Sequence, residues 1–174
     1  MTTTIARSAR SIRRLVLLAD IVLAVLVLGP PAAPLLQAWG GLIPRAVSGT
    51  IYTMTMFVCP QPAHGLTVYD GRIMAVCMRC YGAALGLLAT RLLYAADRGS
   101  GRLWLPRYGL RALPIFAVLI FAYAAEYAGQ VAGLWGFHSA AVTSAGLISG
   151  VGLGLMVHPL LHAECRMQNA KRKT

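Results

Sequence analysis

Four long apolar stretches, separated by shorter polar ones, organise the chain. The first starts at Leu15, after Arg7, Arg10, Arg13 and Arg14, and runs to Leu28 before meeting Pro30, Pro31 and Pro34. That run alone is too short to cross ~30 Å of hydrocarbon, so a kinked helix continuing to Trp39 is expected. The others run from about Met74 to Ala96, from Leu113 to Trp135 and from Ser139 to His162. Each exceeds the ~20 residues that a helical span needs. The rival reading of the first stretch is a cleavable signal peptide, with an arginine-rich start and a short apolar run.

Between the first two stretches lies an outer segment from Trp39 to Ile73. Val47, Ile51, Met54 and Val58 recur at helical spacing, and Pro44 suits a first turn, so a short interfacial or re-entrant helix is expected over Pro44 to Val58. The run from Ile51 to Met56 also reads as a strand. Leu66 to Tyr69, Asp70-Gly71 and Arg72 to Met74 then form a hairpin signal. Small residues recur every fourth position, as Gly82 and Gly86 and as Gly146, Gly150 and Gly154. This spacing lets membrane helices approach closely, within one bundle or between two copies.

Composition agrees with the pattern. The 174 residues are 57% hydrophobic with a mean hydropathy of +0.65, and only 12% are charged, against about 25% in an ordinary soluble domain. Such a chain cannot cover a soluble surface, and it is too apolar for a disordered basic tail. The fold class expected is all-α integral membrane. Residues 1–174 form one four-span domain, with the short helix and hairpin on the outer face, at about residues 40–80.

The net charge of +11 then orients the chain. With the N-terminus inside, thirteen of the 16 Lys and Arg residues fall on inner flanks, leaving only Arg45, Arg72 and Arg79 toward the outside. The positive-inside rule therefore favours both termini in the cytoplasm. Arg91, near the inner end of the second stretch, is expected to snorkel. The partners expected are the bilayer and other membrane-protein subunits, with no nucleic acid.

Chemistry concentrates at the outer end of the second stretch. Cys59, His64, Cys77 and Cys80 follow the spacing C-x4-H-x12-C-x2-C, close to that of structural zinc sites. With Asp70-Gly71 as a two-residue loop, Tyr69 faces Arg72, Val68 faces Ile73 and His64 faces Cys77. Opposed residues have Cβ atoms ~4.5–5.5 Å apart. Two other readings stand beside a metal site: a Cys77–Cys80 redox pair and a structural disulfide with a spare thiol. A double-pair electron relay is disfavoured, because the outer Gly136-Phe137-His138 loop has no cysteine.

Glu126 is costly within the third stretch, and Gln130 follows one turn later on the same face. Arg79 is the expected counter-charge, so the three would line a small polar pocket near the cysteines. Asp20 is expected to pair with an inner arginine, and His138 to be solvated. His158, His162 and Cys165 share one helix face, with Pro159 among them and no fourth ligand in sight.

At these residues the chain resembles a family of small predicted bacterial membrane proteins, the domain-of-unknown-function family number two thousand and eighty-five. The resemblance rests on Cys59-Pro60-Gln61-Pro62-Ala63-His64-Gly65-Leu66, Gly71, the Cys77-Met78-Arg79-Cys80-Tyr81-Gly82 run and Gly86. Glu126, Gln130, Gly133, Gly146 and Gly150 are similar to later family elements. Three positions depart from the pattern: Glu126 stands where Asp is expected, Ala141-Val142-Thr143 where an Arg is usual, and Pro60 where a His often follows the first Cys. The resemblance implies a bacterial membrane location and no reaction.

The function expected is a multi-pass protein of the bacterial inner membrane, carrying a structural zinc on its outer face as an accessory subunit or scaffold. The alternative is an enzyme. Cys77 and Cys80 would pass electrons to quinone, or a metal with Glu126 would act on a lipid.

Overall fold

The computed structural model describes residues 2–59, 64–97 and 104–171, with side chains described for 14–59, 64–97 and 104–161. Among these residues, five helices, α1 (Thr2–Trp39), α2 (Leu42–Met56), α3 (Met78–Asp97), α4 (Ala112–Val131) and α5 (Ser139–Lys171), carry the fold. A two-stranded hairpin, β1 (Thr67–Tyr69) and β2 (Arg72–Ile73), precedes α3, and a 3-10 segment, Leu105–Arg111, leads into α4.

The bundle is built around α3 and α5, whose glycines meet backbone to backbone. A Cβ on Gly82 would lie 2.4 Å from Thr143 O, and one on Gly86 would lie 2.4 Å from Leu147 O. Reciprocally, one on Gly146 would lie 2.1 Å from Arg79 O, and one on Gly150 would lie 2.1 Å from Ala83 O. The four-residue repeats on the two helices are thus one seam inside the chain, the packing that small residues permit in lipid. Ser149 then seats α4 on α5: its hydroxyl donates to Leu119 O at 2.8 Å and accepts from the Tyr123 N–H at 3.0 Å. Beyond this seat, α4 turns most of its apolar side chains outward.

Helix α1 passes through Pro30, Pro31 and Pro34 without breaking. Pro34 has no N–H to give to Pro30 O, and that carbonyl instead accepts from the Ala75 N–H at 3.3 Å. The buried Ser48 hydroxyl donates to Ala33 O at 2.8 Å, docking α2 against the same region. The proline site is therefore where α2 and the stretch leading into α3 attach to α1. Ser48→Ala removes one buried hydrogen bond and is expected to cost about 1 kcal/mol, read as a lower midpoint of denaturation in mixed micelles.

Among the described residues, three stretches are long and apolar enough to cross a bilayer: Arg14–Trp39, Leu105–Val131 and Ser139–Leu161. The second apolar run expected from the sequence, Met74 to Ala96, is not among them. Its helix begins only at Met78 and carries Arg79, Arg91 and Asp97. Both arginines are paired with carboxylates of other helices. Arg91 donates through Nε and Nη2 to the Asp20 carboxylate of α1, at 2.6 and 2.7 Å, the arginine partner expected for Asp20. The His158 ring of α5 meets Leu87 O at 3.2 Å. His162 and Cys165, expected on the same face as His158, have side chains outside the described residues.

The short helix expected between the first two apolar stretches forms, from Leu42 to Met56, which overturns the strand reading of Ile51 to Met56. The hairpin forms too, with Asp70 and Gly71 at φ 47° and 71°, the left-handed values that a tight two-residue turn requires. Its register departs from the simple ladder. Tyr69 pairs with Arg72, but Thr67 pairs with Ile73, so Val68 is bulged. The bulge lets Val68 pack among the buried residues around the cysteines rather than face Ile73.

Candidate metal centre

The local fold delivers three thiols to one place. Helix α2 ends at Met56, and a further turn follows in which the Cys59 N–H bonds Thr55 O at 2.8 Å. Cys77 immediately precedes α3 and Cys80 lies in its first turn, with the Tyr81 N–H bonding Cys77 O at 3.0 Å. The Sγ atoms of Cys59, Cys77 and Cys80 all lie within 4.8 Å of one another, a grouping that can hold a metal ion. None of the three is in a disulfide.

The surroundings favour bound rather than free thiolates. Cys59 and Cys77 are buried, with Met74 and Val76 against them and Val68 and Tyr81 closing the cluster. The Cys77 N–H points at Cys59 Sγ, 3.2 Å away. Three thiolates this close in an apolar setting repel one another, and a cation at their centre removes that repulsion. The donor set, three soft sulfurs, suits zinc, Cu(I) or an iron–sulfur group better than magnesium or calcium.

His64 stands apart from this trio. The bulge at Val68 shifts the ladder, and Leu66 O receives the Met74 N–H at 2.9 Å, so His64 does not fall opposite Cys77. Its ring stacks on Phe137 of the loop between α4 and α5, with centroids 4.5 Å apart. Its Nδ1 is buried and makes no hydrogen bond among the described residues.

Beneath the thiols, α3 and α4 are joined by the polar group expected from the sequence. The Arg79 side chain, 0% exposed, forms a salt bridge with Glu126, which is 11% exposed. Its Nε donates to Glu126 Oε2 at 2.6 Å, and its Nη2 to Gln130 Oε1 at 2.7 Å. Two tyrosines that sequence reasoning passed over complete the arrangement. The guanidinium lies 5.6 Å from the Tyr123 ring centroid and 5.0 Å from that of Tyr127. Tyr123, Glu126, Tyr127 and Gln130 follow i, i+3, i+4, i+7 spacing, a single helix face readable in advance. The Glu126 carboxylate is thus engaged by Arg79 rather than free for hydrolytic work.

Tyr52 is a third unanticipated residue. Its hydroxyl donates to Ile73 O at 2.6 Å, pinning β2 to α2. Burial pushes its phenol above the usual value, with nearby Arg72 opposing, so the proton that makes this bond stays through neutral pH.

No curated protein and no solved structure matches the chain significantly. A sequence model of one family, described as predicted membrane protein (DUF2085), matches residues 59–156. The match begins at Cys59 and includes Cys77, Cys80, Arg79, Glu126 and the glycine seam. More than half of the chain is covered, and the protein belongs to that family.

Proposed function

We propose that this chain is a four-span protein of a bacterial inner membrane whose outer segment is stapled by zinc, and that it serves as a structural or accessory subunit of a membrane assembly. The observation that carries the reading is the meeting of three mostly buried thiols, none in a disulfide and drawn from two segments, within 4.8 Å. Cys59, Cys77 and Cys80 would supply three ligands. His64 lies outside that grouping, but its buried Nδ1 has no hydrogen-bond partner among the described residues, and a turn of its ring toward the sulfurs would supply the fourth. A closed set of four ligands is structural, and zinc there would supply charge neutralisation and folding energy.

Helix α3 would be the fourth span, with both of its inward-facing arginines paired within the protein. About 20 residues at ~1.5 Å each give it roughly the thickness of the hydrocarbon core. The basic flanks would hold both termini in the cytoplasm and place the cysteines outside.

The test compares the protein with a Cys59→Ser variant by thiol titration before and after chelation. The native chain should expose three additional reactive thiols only after chelation, and Cys59→Ser should retain no metal. Native thiols that ignore a chelator but are consumed by a quinone would instead identify a Cys77–Cys80 redox pair, which does not need Cys59.

A further inference from the structure

Tyr123 is where the membrane helix α4 touches the thiol cluster. Its hydroxyl lies 3.5 Å from Cys80 Sγ. Its ring packs under the Arg79 guanidinium, and its N–H is held by Ser149 Oγ at 3.0 Å. Backbone and ring are therefore both fixed, which leaves the hydroxyl aimed at the sulfur.

A thiolate has no proton to donate. Once metal binding ionises Cys80, the contact has a single polarity, with Tyr123 donating and sulfur accepting. Hydrogen bonds to ligand atoms orient them and tune the metal, and losing one typically costs 10- to 100-fold in affinity.

The geometry points to Tyr123 as a positioning residue of the metal centre: its hydroxyl donates to the Cys80 thiolate and so ties metal occupancy to the seat of α4 against α3. This rests on the metal reading given above. It goes beyond that reading by assigning a role to a helix that contributes no ligand. Tyr127 provides the control, because its ring shares the Arg79 guanidinium from one turn further along.

The experiment uses the full-length protein in detergent, as native chain, Tyr123→Phe and Tyr127→Phe. Phe keeps each ring against Arg79, so only the hydroxyl is removed. Zinc affinity is measured by competition with a chromophoric chelator, and the thiolate-to-metal charge-transfer band is recorded after Co2+ substitution. Tyr123→Phe should bind zinc about 10-fold more weakly or worse. Its charge-transfer band should move to lower energy, because the sulfur lone pairs lose the proton that stabilised them. Tyr127→Phe should match the native chain in both measurements.

Native affinity in Tyr123→Phe, a weaker affinity with no spectral shift, or an equal loss in Tyr127→Phe would each overturn the inference. The metal reading would survive any of those three results, provided that Cys59→Ser still abolishes binding. A native chain that binds neither zinc nor cobalt would overturn both.

Discussion

Replacing Arg79 with Met should be the most damaging single substitution of a polar side chain in this protein. It removes the cation that pairs with the Glu126 carboxylate, which is 11% exposed within an apolar helix. Breaking a buried pair from one side costs about 3–5 kcal/mol, because the remaining charge has neither partner nor water. The double variant Arg79→Met with Glu126→Met should recover most of that loss, since replacing both members with apolar groups is often neutral. Denaturation midpoints in mixed micelles across the four-member cycle check this. Equal stability for the single and double variants would mean that the pair contributes nothing beyond the arginine's own packing.

Gly150→Val should have an effect of similar size by a different route. A Cβ there would lie 2.1 Å from Ala83 O and 2.8 Å from Ala83 Cα, so two backbones must separate, and no side chain can yield. Overpacking of this kind costs about 1–3 kcal/mol, and more where backbone is the obstacle. Gly146→Val should carry a second penalty. Its Cβ would strike Arg79 O, between Cys77 and Cys80, and displace both sulfurs. Gly146→Val should therefore lose metal affinity in addition to stability. Gly136→Ala, where the space is open, should change neither. Thermal midpoints and zinc competition on the three variants distinguish these outcomes.

The features legible in the sequence are those whose signal is local or chemically rare. Cysteines are few, so Cys59, Cys77 and Cys80 announced a shared site, and the repeated glycines announced a close seam. Glu126 needed a counter-charge, and Arg79 was the cation at its depth. What failed to show depended on distant contacts. The run from Met74 to Val76 is as apolar as the helix after it, yet it leaves the hairpin, and its Ala75 amide is captured by a carbonyl freed by Pro34. Asp20 called for an arginine partner, but which of the several arginines it meets, Arg91 on a helix 71 residues away, was set by the packing of α1 against α3. The bulge at Val68 reflects burial against the cysteines, which no pairing rule within the hairpin contains. For the same reason His64, set opposite Cys77 by simple register, instead meets Phe137 from the far end of the chain.

The central claim is that the three thiols exist to hold a metal. X-ray absorption at the zinc edge on protein purified without added chelator tests it most directly. About one zinc per chain, with three sulfur scatterers near ~2.3 Å and one imidazole nitrogen near ~2.0 Å, is the predicted result. A metal-free preparation in which Cys77 and Cys80 are joined as a disulfide would contradict it.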